Sequence, residues 1–155
     1  MGILNGMSLS DFLRSLQSRP KDELLGLSEF NSRKWIIEPV LSELGWSTDR
    51  WEDEREVIEE YAIRGTRVDY CLQIGGTNNV FLEAKKPSET LVRHEPQLFD
   101  YVRYGDVELA ILTNCLDWWF YLPSAEGPWQ HKPFVTINLL TGDPDALAES
   151  LGSYL

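Results

Sequence analysis

Gly65-Thr-Arg-Val-Asp69-Tyr-Cys-Leu-Gln-Ile-Gly75-Gly-Thr-Asn-Asn-Val-Phe-Leu-Glu83-Ala-Lys85 is the stretch from which the rest of the chain is read. Two strand-like runs, residues 66–74 and 79–85, flank a Gly75-Gly76-Thr77-Asn78 turn signal. In the first run Val68, Tyr70, Leu72 and Ile74 alternate with Arg67, Asp69, Cys71 and Gln73; in the second, Phe81, Glu83 and Lys85 alternate with Val80, Leu82 and Ala84. Charged groups thus interrupt what otherwise reads as strand interior, and a buried charge is costly unless a metal, a partner or water takes it up.

Strand register decides whether these charges meet. Antiparallel pairing centred on Gly76 sets Asp69 opposite Glu83, and pairing centred on Thr77 sets it opposite Lys85; either puts all three on one face. Pairing centred between two residues sends Asp69 to the other face unless a bulge intervenes, so an odd-length loop or a bulge is expected. Two carboxylates on one face with no cation between them repel, and each has a raised pKa. A divalent cation removes that repulsion. Mg²⁺ takes oxygen ligands, often one or two carboxylates with waters and substrate phosphate, and a neighbouring lysine can orient the attacking water or stabilise charge on a phosphoryl group. An acid followed fourteen residues later by Glu-x-Lys is therefore a kit for phosphodiester hydrolysis. Alone the triplet is short, and solvated strand charges account for it equally well.

Working outward, residues 8–16 read as an amphipathic helix with Leu9, Phe12, Leu13 and Leu16 on one face, closed by Pro20. A second helix is expected over residues 28–45, kinked at Pro39, whose missing N–H breaks the ladder. Glu29 and Arg33 on it are spaced for a modest i, i+4 pair. Val57 to Ile63 reads as an edge-like first strand. A helix over residues 95–104, with Pro96 in its first turn and Gly105 as its stop, places Gln97 and Tyr101 on one face. Residues 107–113 form a near-continuous apolar run, as in a strand covered on both sides. After a turn at Asn114-Cys115-Leu116 come a strand at 117–122 with Trp118 and Trp119, a loop at 123–133, a strand at 134–140, and a helix capped by Asp143 and opened by Pro144.

The 155 residues suit one domain: a core at 28–122, an N-terminal helical extension at 1–27, and a C-terminal strand and helix at 123–155. Cys71 and Cys115 have no framework spacing and read as reduced thiols. There is no leader-like start and no long apolar run, so a cytoplasmic protein without membrane contact is expected. The net charge of −11 excludes a general nucleic-acid coat. Its distribution is uneven: residues 64–103 hold 6 Lys/Arg against 5 Asp/Glu, whereas residues 1–63 hold 7 against 13 and residues 104–155 hold 1 against 7.

The order helix, three strands, helix, two strands, with the acid on the second strand and Glu-x-Lys on the third, resembles the PD-(D/E)xK nuclease superfamily. The nearer resemblance is to the N-terminal endonuclease domain of type I restriction enzyme R subunits. Glu29-Phe-Asn-Ser-Arg33 with Ile37-Glu-Pro39 and Leu44-Gly-Trp46 is similar to that family's first helix, and Gly65 to Tyr70 and Phe81 to Lys85 to its second and third strands. Gln97-Leu-Phe-Asp-Tyr101 is similar to its Q-x-x-x-Y motif, and Ile111-Leu-Thr-Asn114 with Trp118 to its fourth and fifth strands. Val68 stands where the superfamily name has Pro, and Cys115 where relatives often have Gly.

The resemblance implies an α/β fold with a restriction-endonuclease-like mixed central sheet flanked by helices, and a metal-dependent DNA endonuclease. Asp69 and Glu83 would be ligands of Mg²⁺, or of Mn²⁺ in its place, with the Ala84 carbonyl a third. Lys85 would position the water, and Glu29, with Glu38 as fallback, would be the helix acid. Gln97, Tyr101, Arg67 and Lys86 would face the site or the DNA, and Arg64, Arg93 and His94 are further phosphate contacts; each also suits an ordinary packed or solvated role. Tyr104 and the Trp118-Trp119 pair read as core or interface. The chain has no Walker A loop, so motor, methyltransferase and specificity subunits of a restriction complex, or a homodimer, are the partners implied beside DNA. A non-catalytic DNA- or protein-binding assembly module of the same fold is the alternative, favoured by the acidic surface.

Overall fold

A computed structural model describes residues 7–48, 51, 55–124, 129 and 132–155. Six strands form one mixed sheet in chain order: β1 Val57–Ile63, β2 Thr66–Ile74, β3 Thr77–Ala84, β4 Leu109–Thr113, β5 Asp117–Tyr121 and β6 Val135–Asn138. Neighbours are antiparallel except β3 and β4, which run parallel and are joined by a helical crossover. Helices α1 Leu9–Gln17, α2 Lys21–Leu25, α3 Glu29–Ser32 and α4 Glu38–Glu43 precede the sheet; α5 Glu95–Tyr104 makes the crossover and α6 Pro144–Tyr154 ends the chain. The expected order of elements is therefore present, with α2 an addition that the apolar spacing does not announce. Among the described residues no helix is long and apolar enough to cross a membrane. Most of the 123–133 loop lies outside the described residues.

The two hairpins are set by backbone chirality. Ile63 pairs Thr66 and Ile74 pairs Thr77, leaving two-residue tips whose φ values are positive: Arg64 44° and Gly65 78°, then Gly75 58° and Gly76 78°. These are primed turns, whose twist matches that of the strands. The second tip centres pairing between Gly75 and Gly76, the register that would turn Asp69 away. A bulge between Leu72 and Gln73 corrects it, so that Leu72 pairs Val80, Cys71 pairs Phe81 and Tyr70 pairs Leu82.

One expected face is corrected. Val68 packs with Cys71 and Phe81, whereas Tyr70 and Leu72 pack in the opposite layer, and Ile74 is exposed. Strict alternation fails because the β2–β3 ladder ends at Tyr70, and across β2 from Asp69 the chain of β1 is distorted at Glu60, with φ 52°.

The sheet is covered on both sides. One layer joins Leu13, Ile36, Leu41, Leu82 and Trp118 beneath the N-terminal helices and α6; the other joins Phe81, Leu98, Val102, Leu112 and Tyr121 beneath α5. The single kinked helix expected at 28–45 is instead α3, a π turn at Arg33–Ile37, and α4. Pro39 cannot donate to the ladder, and the wider turn, in which the Glu38 N–H reaches the Arg33 carbonyl, absorbs the mismatch before the proline.

Candidate functional site

The site lies where β2 and β3 part. Asp69 and Glu83 lie just beyond Tyr70 and Leu82, the last β2–β3 pair, while Glu83 and Ala84 stay paired with Leu112 and Thr113 of β4. The Asp69 amide donates to Glu83 Oε1 at 3.2 Å, and the Ala84 amide donates to Asp69 Oδ2 at 2.7 Å. The two carboxyls are near enough for the charge of one to act on the other. Glu83 is only 2% exposed. Burial, then the adjacent Asp69 charge, push its pKa from 4.5 to about 8, with Lys85 opposing.

Lys85 closes the other side. Its Nζ lies 3.6 Å from Glu83 Oε2 and donates to Gln97 Oε1 at 3.1 Å. The Gln97 amide in turn donates to the Tyr101 hydroxyl at 2.9 Å, so one turn of α5 is tied directly to the strand charges. This follows from α5 starting at Glu95 with Pro96 in the turn where its missing N–H costs nothing. Gly105, at the end of that helix, does more than stop it: an added Cβ would overlap the Phe81 ring, so its bare backbone lets α5 lie close on β3.

Arg33 is the member that sequence reasoning underrated. It does not pair with Glu29. Its Nε donates to the Tyr70 hydroxyl at 3.1 Å, and its Nη1 reaches Glu60 at 3.0 Å and Asp69 Oδ1 at 3.5 Å. The Tyr70 hydroxyl donates to Glu38 Oε2 at 2.8 Å, and Lys34 bridges Glu38 and Glu59. Burial opposes the Arg33 charge, but its partners more than offset this and hold it above its ordinary pKa. The π turn aims two successive side chains, Arg33 and Lys34, at the strands; the only hint in the sequence was Pro39 ahead of an otherwise regular pattern.

The candidate helix acids occupy different settings. Glu29 is exposed, whereas Glu38 is committed to Tyr70 and Lys34. Arg67 and Lys86 are exposed, Arg67 standing opposite Ala62 on β1. His94 is paired with Glu89 at 3.2 Å. Trp118 is fully buried, as a core residue should be, but Tyr104 is 52% exposed. Cys115 adopts φ 79°, the left-handed conformation for which Gly is better suited, and its Sγ contacts the Lys85 carbonyl at 3.5 Å.

No cluster of three or more His, Cys, Asp or Glu side chains with metal-holding geometry occurs among the described residues. The donor set is instead two neighbouring carboxyls, one of them buried with a raised pKa, beside a lysine. That suits a hard cation that keeps waters and takes phosphate oxygens, and is a poor fit to a closed Zn²⁺ site.

Residues 53–129 match the family model described as the type I restriction enzyme R protein N terminus. Two solved structures share the fold at a TM-score of 0.55. One, a fragment from Vibrio vulnificus YJ016 described as an HsdR subunit of a type I restriction enzyme, is 19% identical, over 82% of this chain and 26% of that one. The other, the type IIG restriction endonuclease BpuSI, is 17% identical, over 83% of this chain and 17% of that one. The fold is thus the restriction-endonuclease-like α/β fold, and the chain spans about a quarter or less of each of these proteins. No curated protein matches the chain.

Proposed function

We propose that this chain, similar over residues 53–129 to the N terminus of type I restriction enzyme R proteins, is a metal-dependent endonuclease domain that hydrolyses phosphodiester bonds in DNA. The observation that carries the reading is the buried Glu83 carboxyl held between the Asp69 amide, which donates to its Oε1 at 3.2 Å, and Lys85 Nζ, 3.6 Å from its Oε2. The neighbouring Asp69 and Glu83 carboxyls are destabilising in the metal-free protein unless one of them keeps a proton, which makes the site a trap for a divalent cation.

Asp69 and Glu83, with the Ala84 carbonyl, would hold Mg²⁺ or Mn²⁺, which supplies Lewis-acid charge to the attacked phosphate and acidifies water. Every other part belongs to the chain. Lys85, held by Glu83 and Gln97, presents N–H donors to the attacking water or to the phosphoryl oxygen where charge grows. Tyr101 and Gln97 fix the lysine's direction, a positioning role. Arg33, bonded to Asp69 Oδ1, holds that carboxylate in place. Glu29 completes the acidic rim from α3. The remaining machinery of a restriction complex, a DNA-translocating motor among it, lies on partner domains or subunits, and this acidic chain depends on them or on a second copy for tight DNA binding.

Nicking of supercoiled plasmid in Mg²⁺ or Mn²⁺ by the chain, or by a longer protein that contains it, tests the reading. No nicking at any protein concentration, together with no metal-dependent thermal shift, would favour an assembly module of the same fold.

A further inference from the structure

The β1–β2 tip and α5 enclose an open groove of about 480 Å³ beside the acidic site. Arg64 and Thr66 supply one wall; Gln97, Tyr101, Arg103 and Tyr104 supply the other. Gln97, Tyr101 and Tyr104 recur at helical spacing and so share a face of α5. At one end the groove opens onto Lys85, whose ammonium donates to Gln97. Along its floor the Tyr101 hydroxyl is bonded by both Gln97 and Thr66.

At the other end the Tyr104 ring is exposed, and the Arg64 guanidinium lies over it, 4.5 Å from the ring centroid. Arg64 takes a left-handed φ of 44° at a primed-turn position that favours Asn or Gly, so the tip carries a strained arginine where glycine would fit without cost. Arg103 adds a second positive charge, with Asp100 the acidic exception on the wall. In a chain of net charge −11, two guanidiniums and a half-exposed aromatic ring in one groove are a concentrated departure from the acidic surface.

Stacked guanidinium and aromatic planes are a platform for nucleobases, each of which has a π face, while free guanidinium edges take phosphate. We propose that this groove holds an unpaired nucleotide of the DNA strand being cut, its base against the Arg64–Tyr104 stack and a flanking phosphate on Arg103. The proposal rests on the nuclease reading and adds its substrate class: strands that are single or locally melted. Along α5 the seven steps from Gln97 to Tyr104 span about 10 Å, or roughly three nucleotides at the stacked rise, so the held base lies close to the bond at Lys85. A base kept in a duplex cannot reach this shelf.

The test uses a 12-nucleotide deoxythymidine strand carrying one 2-aminopurine, titrated with the chain in metal-free, low-salt buffer so that no cutting occurs. Binding should quench the probe, and the same strand annealed to its complement should bind at least about fivefold more weakly. Tyr104→Ala and Arg64→Ala should each weaken single-strand binding about tenfold, and Tyr104→Phe should retain it, all with unchanged melting curves because both side chains are exposed. Equal affinity for the duplex, unchanged binding by Tyr104→Ala, or equal losses in Tyr104→Phe and Tyr104→Ala would overturn the proposal. The two readings fail separately: quenching that persists in a chain unable to nick plasmid upholds the groove and removes the nuclease, while normal nicking with no effect of Tyr104→Ala on strand binding does the reverse.

Discussion

The backbone amide of Asp69 donates to Glu83 Oε1 at 3.2 Å, so the second acid of the site is oriented by the first acid's own main chain. The carboxyls are brought together by the Leu72–Gln73 bulge, without which the two-residue Gly75-Gly76 tip would turn Asp69 to the other face. The charge cluster therefore depends on a local irregularity that begins three residues along β2 from Asp69.

The metal-free protein should lose stability as pH rises. Glu83 has an ordinary pKa of 4.5 in the unfolded chain and about 8 in the fold. Between those values the folded state keeps a proton that the unfolded state has released, so the contribution is full below pH 4.5 and is lost as pH rises through about 8. Urea titrations from pH 5 to 8.5 should show this loss, on the order of a few kcal/mol, and Glu83→Gln should flatten it. A wild-type profile as flat as that of the variant would mean that Glu83 is ionised throughout.

Cation binding should have the opposite pH dependence, since the metal must displace that proton. Mn²⁺ affinity measured by calorimetry should tighten about tenfold per pH unit from pH 6 to 8 and then level off. An affinity independent of pH would place the cation away from Glu83.

Much of this was legible in the chain, and the failures have physical causes. The strands, α5 with its Gly105 stop, and the convergence of Asp69, Glu83 and Lys85 follow from period-two alternation, turn chemistry and a register argument that sequence states directly. The π turn at Arg33–Ile37 was not legible, because periodicity locates a helix but not a one-residue widening within it. Hence Arg33 read as a surface partner of Glu29 when it reaches across to Glu60, Tyr70 and Asp69. Val68 was misplaced for a related reason, since alternation stops being informative where a strand leaves its partner; of the core or interface reading for Tyr104, its exposure removes the core.

The two candidate helix acids should separate experimentally. Glu38→Gln breaks bonds to Tyr70 and Lys34 and should lower stability by about 1–3 kcal/mol. Glu29→Gln, on an exposed side chain, should leave the melt within about 0.5 kcal/mol while weakening Mn²⁺ binding. Arg33→Leu should cost about 3–5 kcal/mol by leaving Asp69 and Glu60 without their buried partner, and Arg33→Lys should rescue only part of it. A reversed order, with Glu38→Gln silent in the melt and Glu29→Gln damaging, would contradict the network.

Gly105→Ala should destabilise by about 1–3 kcal/mol, because the added methyl meets the Phe81 ring. Phe81 lies two residues before Glu83, so the displaced strand should also weaken Mn²⁺ binding, measured in the same titration. A silent Gly105→Ala would mean that α5 is free to move off β3.

Side-by-side nicking of supercoiled plasmid by wild type, Asp69→Ala and Lys85→Ala, in Mg²⁺ and in Mn²⁺, tests the account most directly. Wild type should nick only with metal, and both variants should fall at least about a hundredfold, in line with losing a charge-stabilising group, while Lys85→Ala still binds Mn²⁺. Metal-dependent nicking that survives both substitutions would contradict the assignment of the site.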